Sequence, residues 1–183
     1  MSRNPILEKA YEAMGKYNEK RFRDDIKARL GNLIRSDFKY DTIDFYGVDY
    51  VLELKSRTCS STDFKDTMFG YNKIIRARET LDHYKDHIPN YKVYFAFAFT
   101  DGLFIWEYNS KTYEDNGGDT QKRMGGTDNR GYNDFKEHYY VWVENLEKIS
   151  DKPVWIHPAV QENTDKKFKK SSIPDGVCFL KLK

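Results

Sequence analysis

Cysteine is nearly missing from this chain. Cys59 and Cys178 are the only two, and with no CxxC spacing they exclude a zinc knuckle and a disulfide scaffold. A reducing, intracellular setting follows as the expectation, in cytoplasm or around the chromosome in nucleoid or nucleus. Long apolar runs are also lacking. None approaches the ~20 residues needed to span a bilayer, and the opening Met1-Ser2-Arg3-Asn4-Pro5 is not the start of a signal peptide, so no membrane partner is expected. Excess charge is absent too: 31 Lys and Arg against 29 Asp and Glu leave a net charge of +2, and affinity for a polyanion must come from local clusters. His83, His87, His138 and His157 show no ligand spacing with a nearby Cys, and there is no Gly-rich phosphate loop, nucleophile elbow or dinucleotide fingerprint. At 183 residues the chain suits one domain with a real core.

What is present is one strand of unusual chemistry, Val48-Asp49-Tyr50-Val51-Leu52-Glu53-Leu54-Lys55-Ser56-Arg57. Alternation puts Val48, Tyr50, Leu52 and Leu54 on one face, and Val51, Glu53 and Lys55 on the other. An acid and an amine thus stand side by side on a core-like strand, where an unpaired charge is costly. Upstream, Lys39 to Gly47 reads as the partner strand of a hairpin turning at Gly47. Folding about Gly47 sets Asp41 opposite Glu53, Ile43 opposite Val51 and Lys39 opposite Lys55. Opposed Cβ atoms lie about 4.5–5.5 Å apart, close enough for two carboxylates to share one hard divalent cation such as magnesium. A turn at Val48-Asp49 would instead bring Asp44 opposite Glu53. The preference of tight turns for glycine favours Asp41.

With Asp41 on one strand and Glu53-Leu54-Lys55 on the next, residues 39–57 resemble the PD-(D/E)XK nuclease superfamily. Six acid-x-lysine tripeptides occur in the chain, ending at Lys27, Lys39, Lys55, Lys65, Lys136 and Lys167. Only the one ending at Lys55 lies in an apolar alternating strand behind another acid. Tyr40 stands where the signature has proline. The resemblance implies an α/β fold with a restriction-endonuclease-like core, a central mixed sheet flanked by helices. It also implies catalytic Asp41, Glu53 and Lys55, with Mg2+ (or Mn2+ as substitute) held by Asp41 and Glu53. Two accessory residues follow from it, Glu19 on the first helix and Lys73 on the second.

The rest of the chain agrees with that order. Apolar residues at intervals of three and four predict helices over 5–33 and 68–84, with 57–67 a polar loop. Residues 91–99 and 103–106, separated by Asp101-Gly102, predict a hairpin, and Ala96 and Ala98 suggest a helix lying close over that strand. The element order is α-β-β-α-β-β with C-terminal additions. Residues 113–133, rich in Gly, Asp and Asn, read as a flexible insertion in which Lys122, Arg123 and Arg130 suit contact with a phosphate backbone. Lys166, Lys167, Lys169 and Lys170 form the densest basic cluster, equally readable as a solvated turn.

Three functions are consistent with these features. The first is a magnesium-dependent endonuclease acting on DNA, since phosphodiester hydrolysis needs charge neutralisation and an activated water. The second is a non-catalytic nucleic-acid-binding module on the same fold, and the third an interaction protein with a surface ion cluster. A homodimer is compatible with these features, which do not fix the oligomeric state.

Overall fold

Asn4 opens the first helix by accepting from the backbone N–H of Ile6 and Leu7 at 3.1 and 3.3 Å, and Pro5 takes the first helical position, where its missing N–H costs nothing. Helix α1 runs Pro5–Leu30 and stops at Gly31, whose φ of 96° suits glycine. The computed structural model describes residues 4–36, 43–108, 120–125 and 136–170. After α1 come strands β1 (Leu33–Arg35), β2 (Phe45–Gly47), β3 (Tyr50–Ser56) and β4 (Asp66–Gly70), helix α2 (Tyr71–Tyr84), strands β5 (Lys92–Phe99), β6 (Gly102–Glu107), β7 (Thr120–Gly125), β8 (Lys136–Trp142) and β9 (Glu147–Ser150), and helix α3 (Pro158–Lys170).

The strands form a six-stranded mixed sheet, ordered β1-β2-β3-β5-β6-β9, and a three-stranded one, ordered β4-β8-β7. In the larger sheet β3 and β5 are parallel and the other pairs antiparallel. Each of its faces carries a core. Tyr50, Leu52, Leu54, Ala96 and Ala98 pack with Phe22 and Ile26 of α1, so the small side chains on β5 do lie beneath a helix. Val51, Val93, Phe95 and Phe97 pack on the other face with Ile74 and Ala77 of α2 and with Phe69, Tyr139 and Val141 of the smaller sheet. There Phe69 stacks on Phe95 with ring centroids 4.3 Å apart. Helix α3 packs on the first half of α1 through Val160, Leu7, Ala10 and Met14.

Several sequence expectations change. The segment expected to open the second helix at Met68 is instead strand β4, and α2 begins at Tyr71. Here alternation wins, with Thr67 and Phe69 turned inward and paired against Val141 and Tyr139 of β8. The first helix ends at Leu30, and Leu33 belongs to β1. Within the stretch expected as a flexible insertion, Thr120–Gly125 forms an edge strand on β8. The backbones of Lys122 and Arg123 lie on that strand, and Arg130 lies outside the described residues.

The hairpin register also differs. Phe45 pairs with Leu52 and Tyr46 with Val51, so the loop is Val48-Asp49 rather than Gly47, and Val48 is 80% exposed instead of joining the apolar face. A two-residue loop demanded glycine only on the assumption of positive φ, but among described non-glycine residues positive φ occurs at Asn90 alone. Gly47 is needed for a different reason. A Cβ there would come 2.1 Å from the Tyr50 ring, so glycine makes room for that ring.

Candidate active site

Glu53 sits in the middle of β3 on the face toward α2, and its side chain is 2% exposed. Its charge is met by two amines. Lys55 Nζ, two residues along the same strand face, lies 2.5 Å from Glu53 Oε1, and Lys73 Nζ reaches the same oxygen at 2.7 Å. Lys73 comes from the first turn of α2, which follows β4 directly. Glu53 Oε2 is buried and has no hydrogen-bond partner. That arrangement is asymmetric: one carboxylate oxygen is doubly satisfied, and the other carries the desolvation cost without return.

Asp44 lies one residue before β2, and the observed register carries it alongside Glu53. Its N–H donates to Leu52 O at 3.1 Å, and its Oδ2 accepts from Leu54 N–H at 2.7 Å. Where β2 gives out, this carboxylate takes over one ladder bond on the edge of β3. Burial and the neighbouring Glu53 carboxylate push the Asp44 acid up to about 7, against the opposing pull of Lys55. Burial alone would depress the Lys55 ammonium, but Glu53 and Asp44 together hold it above its ordinary value. The lysine therefore stays charged at neutral pH.

Glu19 is brought to the same corner. Its Oε2 accepts from Arg35 Nε of β1 at 2.6 Å, its side chain is 16% exposed, and its charge contributes to the raised pKa of Asp44. Neighbouring Asn18, fully buried, donates to Ser56 Oγ at 3.0 Å and to Trp155 O at 2.8 Å, and accepts from Trp155 N–H at 2.9 Å. Those bonds fasten α1 to the end of β3 and to the segment before α3.

Of the residues singled out from sequence, Glu53, Lys55, Lys73 and Glu19 thus converge with Asp44, while Asp41 and Lys39 lie outside the described residues. With the loop at Val48-Asp49, the register of the hairpin brings Asp44 alongside Glu53. Lys166, Lys167, Lys169 and Lys170 occupy the last two turns of α3 rather than a turn. That helix packs on α1, on the opposite side of the main sheet from Glu53. Lys166 is exposed and pairs with Glu162 at 2.6 Å.

The sequence reading passed over Arg57 and Asn18. Arg57 continues the alternation of Glu53 and Lys55, so period two could have found it, whereas nothing local marks Asn18. Among the described residues no third His, Cys, Asp or Glu joins a carboxylate pair as a metal cluster, and no helix is long and apolar enough to cross a membrane. The fold at this level is α/β with a mixed central sheet. No family model matches the chain, and a search of curated proteins finds no match either.

Proposed function

We propose that this protein is a metal-dependent endodeoxyribonuclease with a restriction-endonuclease-like core, its site formed by Asp44, Glu53 and Lys55 with Lys73 at its flank. The observation that carries this reading is Glu53 Oε2, a buried carboxylate oxygen without a partner beside a second carboxylate whose ionisation is suppressed by burial and by its neighbour. A purely structural ion cluster accounts for Lys55 and Lys73 on Oε1 but leaves both of those costs unexplained. A divalent cation offsets them together.

The donor set suits magnesium, which is commonly bound through one or two carboxylates, keeping its remaining positions for water and phosphate oxygens. Glu53 Oε2 and Asp44 would hold it. When bound, such a cation neutralises charge on a phosphodiester and lowers the pKa of a coordinated water. The protein's own part is electrostatic. Lys55, kept charged by its two acidic neighbours, is positioned to orient the attacking water or to balance negative charge developing on the phosphoryl oxygens. Lys73 supplies a second ammonium at the same carboxylate, and the Leu54 N–H fixes the Asp44 carboxylate in place.

Incubating plasmid DNA with the protein and magnesium, manganese or calcium tests the reading. Magnesium and manganese are expected to support nicking or cleavage, and calcium to bind without turnover. Asp44→Asn should abolish both cleavage and the magnesium-dependent rise in melting temperature while Asp41→Asn keeps both. Equal activity in a chelator would remove the metal, and loss of activity in Asp41→Asn alone would return the ligand role to that residue.

A further inference from the structure

The proposed site carries more positive charge than its acids require. Lys55 and Lys73 are both spent on one oxygen of Glu53, and a third cation, Arg57, stands beside Lys55. Arg57 follows β3 on the same strand face, and its N–H continues the ladder to Ala98 O at 2.7 Å. Its influence on Lys55 is felt as a like charge that disfavours the ammonium. No carboxylate pairs with it among the described residues. Burial, relieved only weakly by the Cys59 thiol, lowers the guanidinium to about 10, so it remains charged at neutral pH.

The guanidinium has a fixed edge and an open one. Nε donates to Thr67 Oγ1 at 2.9 Å, Nη2 donates to Met68 O, and the plane rests over the Phe97 ring, 5.5 Å from its centroid. Those contacts lock its orientation. Nη1 has no protein acceptor among the described residues, and the Arg57 side chain is only partly buried. An immobilised, charged donor with an open edge, half-buried and without a carboxylate, is the arrangement that recognises a phosphate oxygen. Its distance from Lys55 along the strand is two residues, about 6.5 Å, which is comparable with the separation of neighbouring phosphates on one nucleic-acid strand.

We infer that Arg57 is a second phosphate-binding residue, holding through Nη1 the phosphate next to the one that lies at Glu53 and Lys55. It touches the substrate backbone one nucleotide away from the reacting bond, so it positions the strand and fixes its direction across the end of β3. This assignment rests on the nuclease reading above and adds the path of the strand to it.

The test is equilibrium binding of short DNA duplexes in calcium, each duplex carrying one neutral methylphosphonate at a successive position. For the native protein, two adjacent phosphates of one strand should be sensitive, each replacement weakening binding about tenfold, as for the loss of a charge-assisted hydrogen bond. In Arg57→Gln one of those two positions should become indifferent, the other should stay sensitive, and the slope of log affinity against log salt should fall by about 0.9. Thr67→Val, which disturbs the fixed edge only, should keep both sensitive positions. A native protein with a single sensitive phosphate, or an Arg57→Gln protein with both retained, overturns the inference while leaving the nuclease reading intact. Should Arg57→Gln fail to fold, the native pattern alone decides. A protein that neither binds any duplex in calcium nor cuts DNA in magnesium loses both assignments.

Discussion

Asp44 is a site acid whose charge state the fold alters. In the unfolded chain its carboxyl titrates in the ordinary range, and in the folded protein it titrates at about 7. Between those limits the folded state binds a proton that the unfolded state releases, so stability falls as pH rises. The contribution is fully present below the ordinary carboxylate range and is lost as pH passes through about 7. Asp44→Asn keeps an acceptor for Leu54 N–H and removes the titration. Its melting temperature, measured without divalent ions, should match the native protein in acid and exceed it increasingly up to mildly alkaline pH. Parallel curves for the two proteins would show that Asp44 is not the group responsible. Glu53→Gln should shift the same titration downward, since the Glu53 charge is second only to burial in raising Asp44. An NMR titration of the Asp44 carboxyl reads this directly.

At the scale of elements, the site is an assembly of pieces held at their ends. Strand β3 carries Glu53 and Lys55, α2 delivers Lys73, and Asn18 pins α1 by one hydrogen bond to Ser56 at the end of β3 and by two to Trp155 in the segment before α3. Asn18→Leu removes those bonds and leaves the Trp155 N–H and carbonyl without their partner. A loss of about 2–4 kcal/mol is expected from urea unfolding, given roughly 1–3 kcal/mol for each buried group left unpaired. A loss under about 0.5 kcal/mol, the range of an ordinary surface change, would mean that water replaces the amide. The hairpin offers a second check. Gly47→Ala places a methyl group 2.1 Å from the Tyr50 ring, and displacing a ring that reaches the Gly31 and Asn32 carbonyls at 3.3 and 3.4 Å should cost about 1–3 kcal/mol, as overpacking does. A glycine required for turn conformation alone would respond the same way to Ala, so Tyr50→Leu is the control. In that background Gly47→Ala should become nearly neutral.

For the whole molecule the consequential feature is that the main sheet has two unlike faces. Helix α1, with α3 behind it, covers one face, while α2 and the smaller sheet cover the other. Glu53, Lys55 and Arg57 project on the second, whereas the basic end of α3 belongs to the first. Replacing Lys166, Lys167, Lys169 and Lys170 together by Ala should therefore leave the cleavage rate unaltered at moderate salt, in contrast to Arg57→Gln. A steep drop in rate, with a salt slope reduced by several contacts, would mean that DNA wraps around the sheet edge to reach α3.

Much of this was legible in the chain itself. Period-two alternation through Tyr50, Val51, Leu52 and Glu53 assigned each to its face, the hairpin expected at Asp101-Gly102 formed with its loop one residue earlier at Thr100-Asp101 and Gly102 (φ 150°) paired with Phe99, and Ala96 and Ala98 announced the helix above them. Such features are local: a side chain's face follows from its parity, and a turn from the conformations its residues tolerate. The register of the first hairpin was not local in that sense. Gly47 satisfied the sequence rule for a turn, but its actual task is to admit the ring of Tyr50, three residues away. Nothing in the order of amino acids distinguished those two demands. Strand β4 escaped for a related reason, since Asp66 to Gly70 acquires its strand character by pairing with β8, about seventy residues later. The sequence thus determined which residues carry acid and amine chemistry and which way they face. Only the tertiary structure decided that Asp44 stands with Glu53 and that Lys73 is their neighbour, because those choices depend on packing between segments distant in the chain.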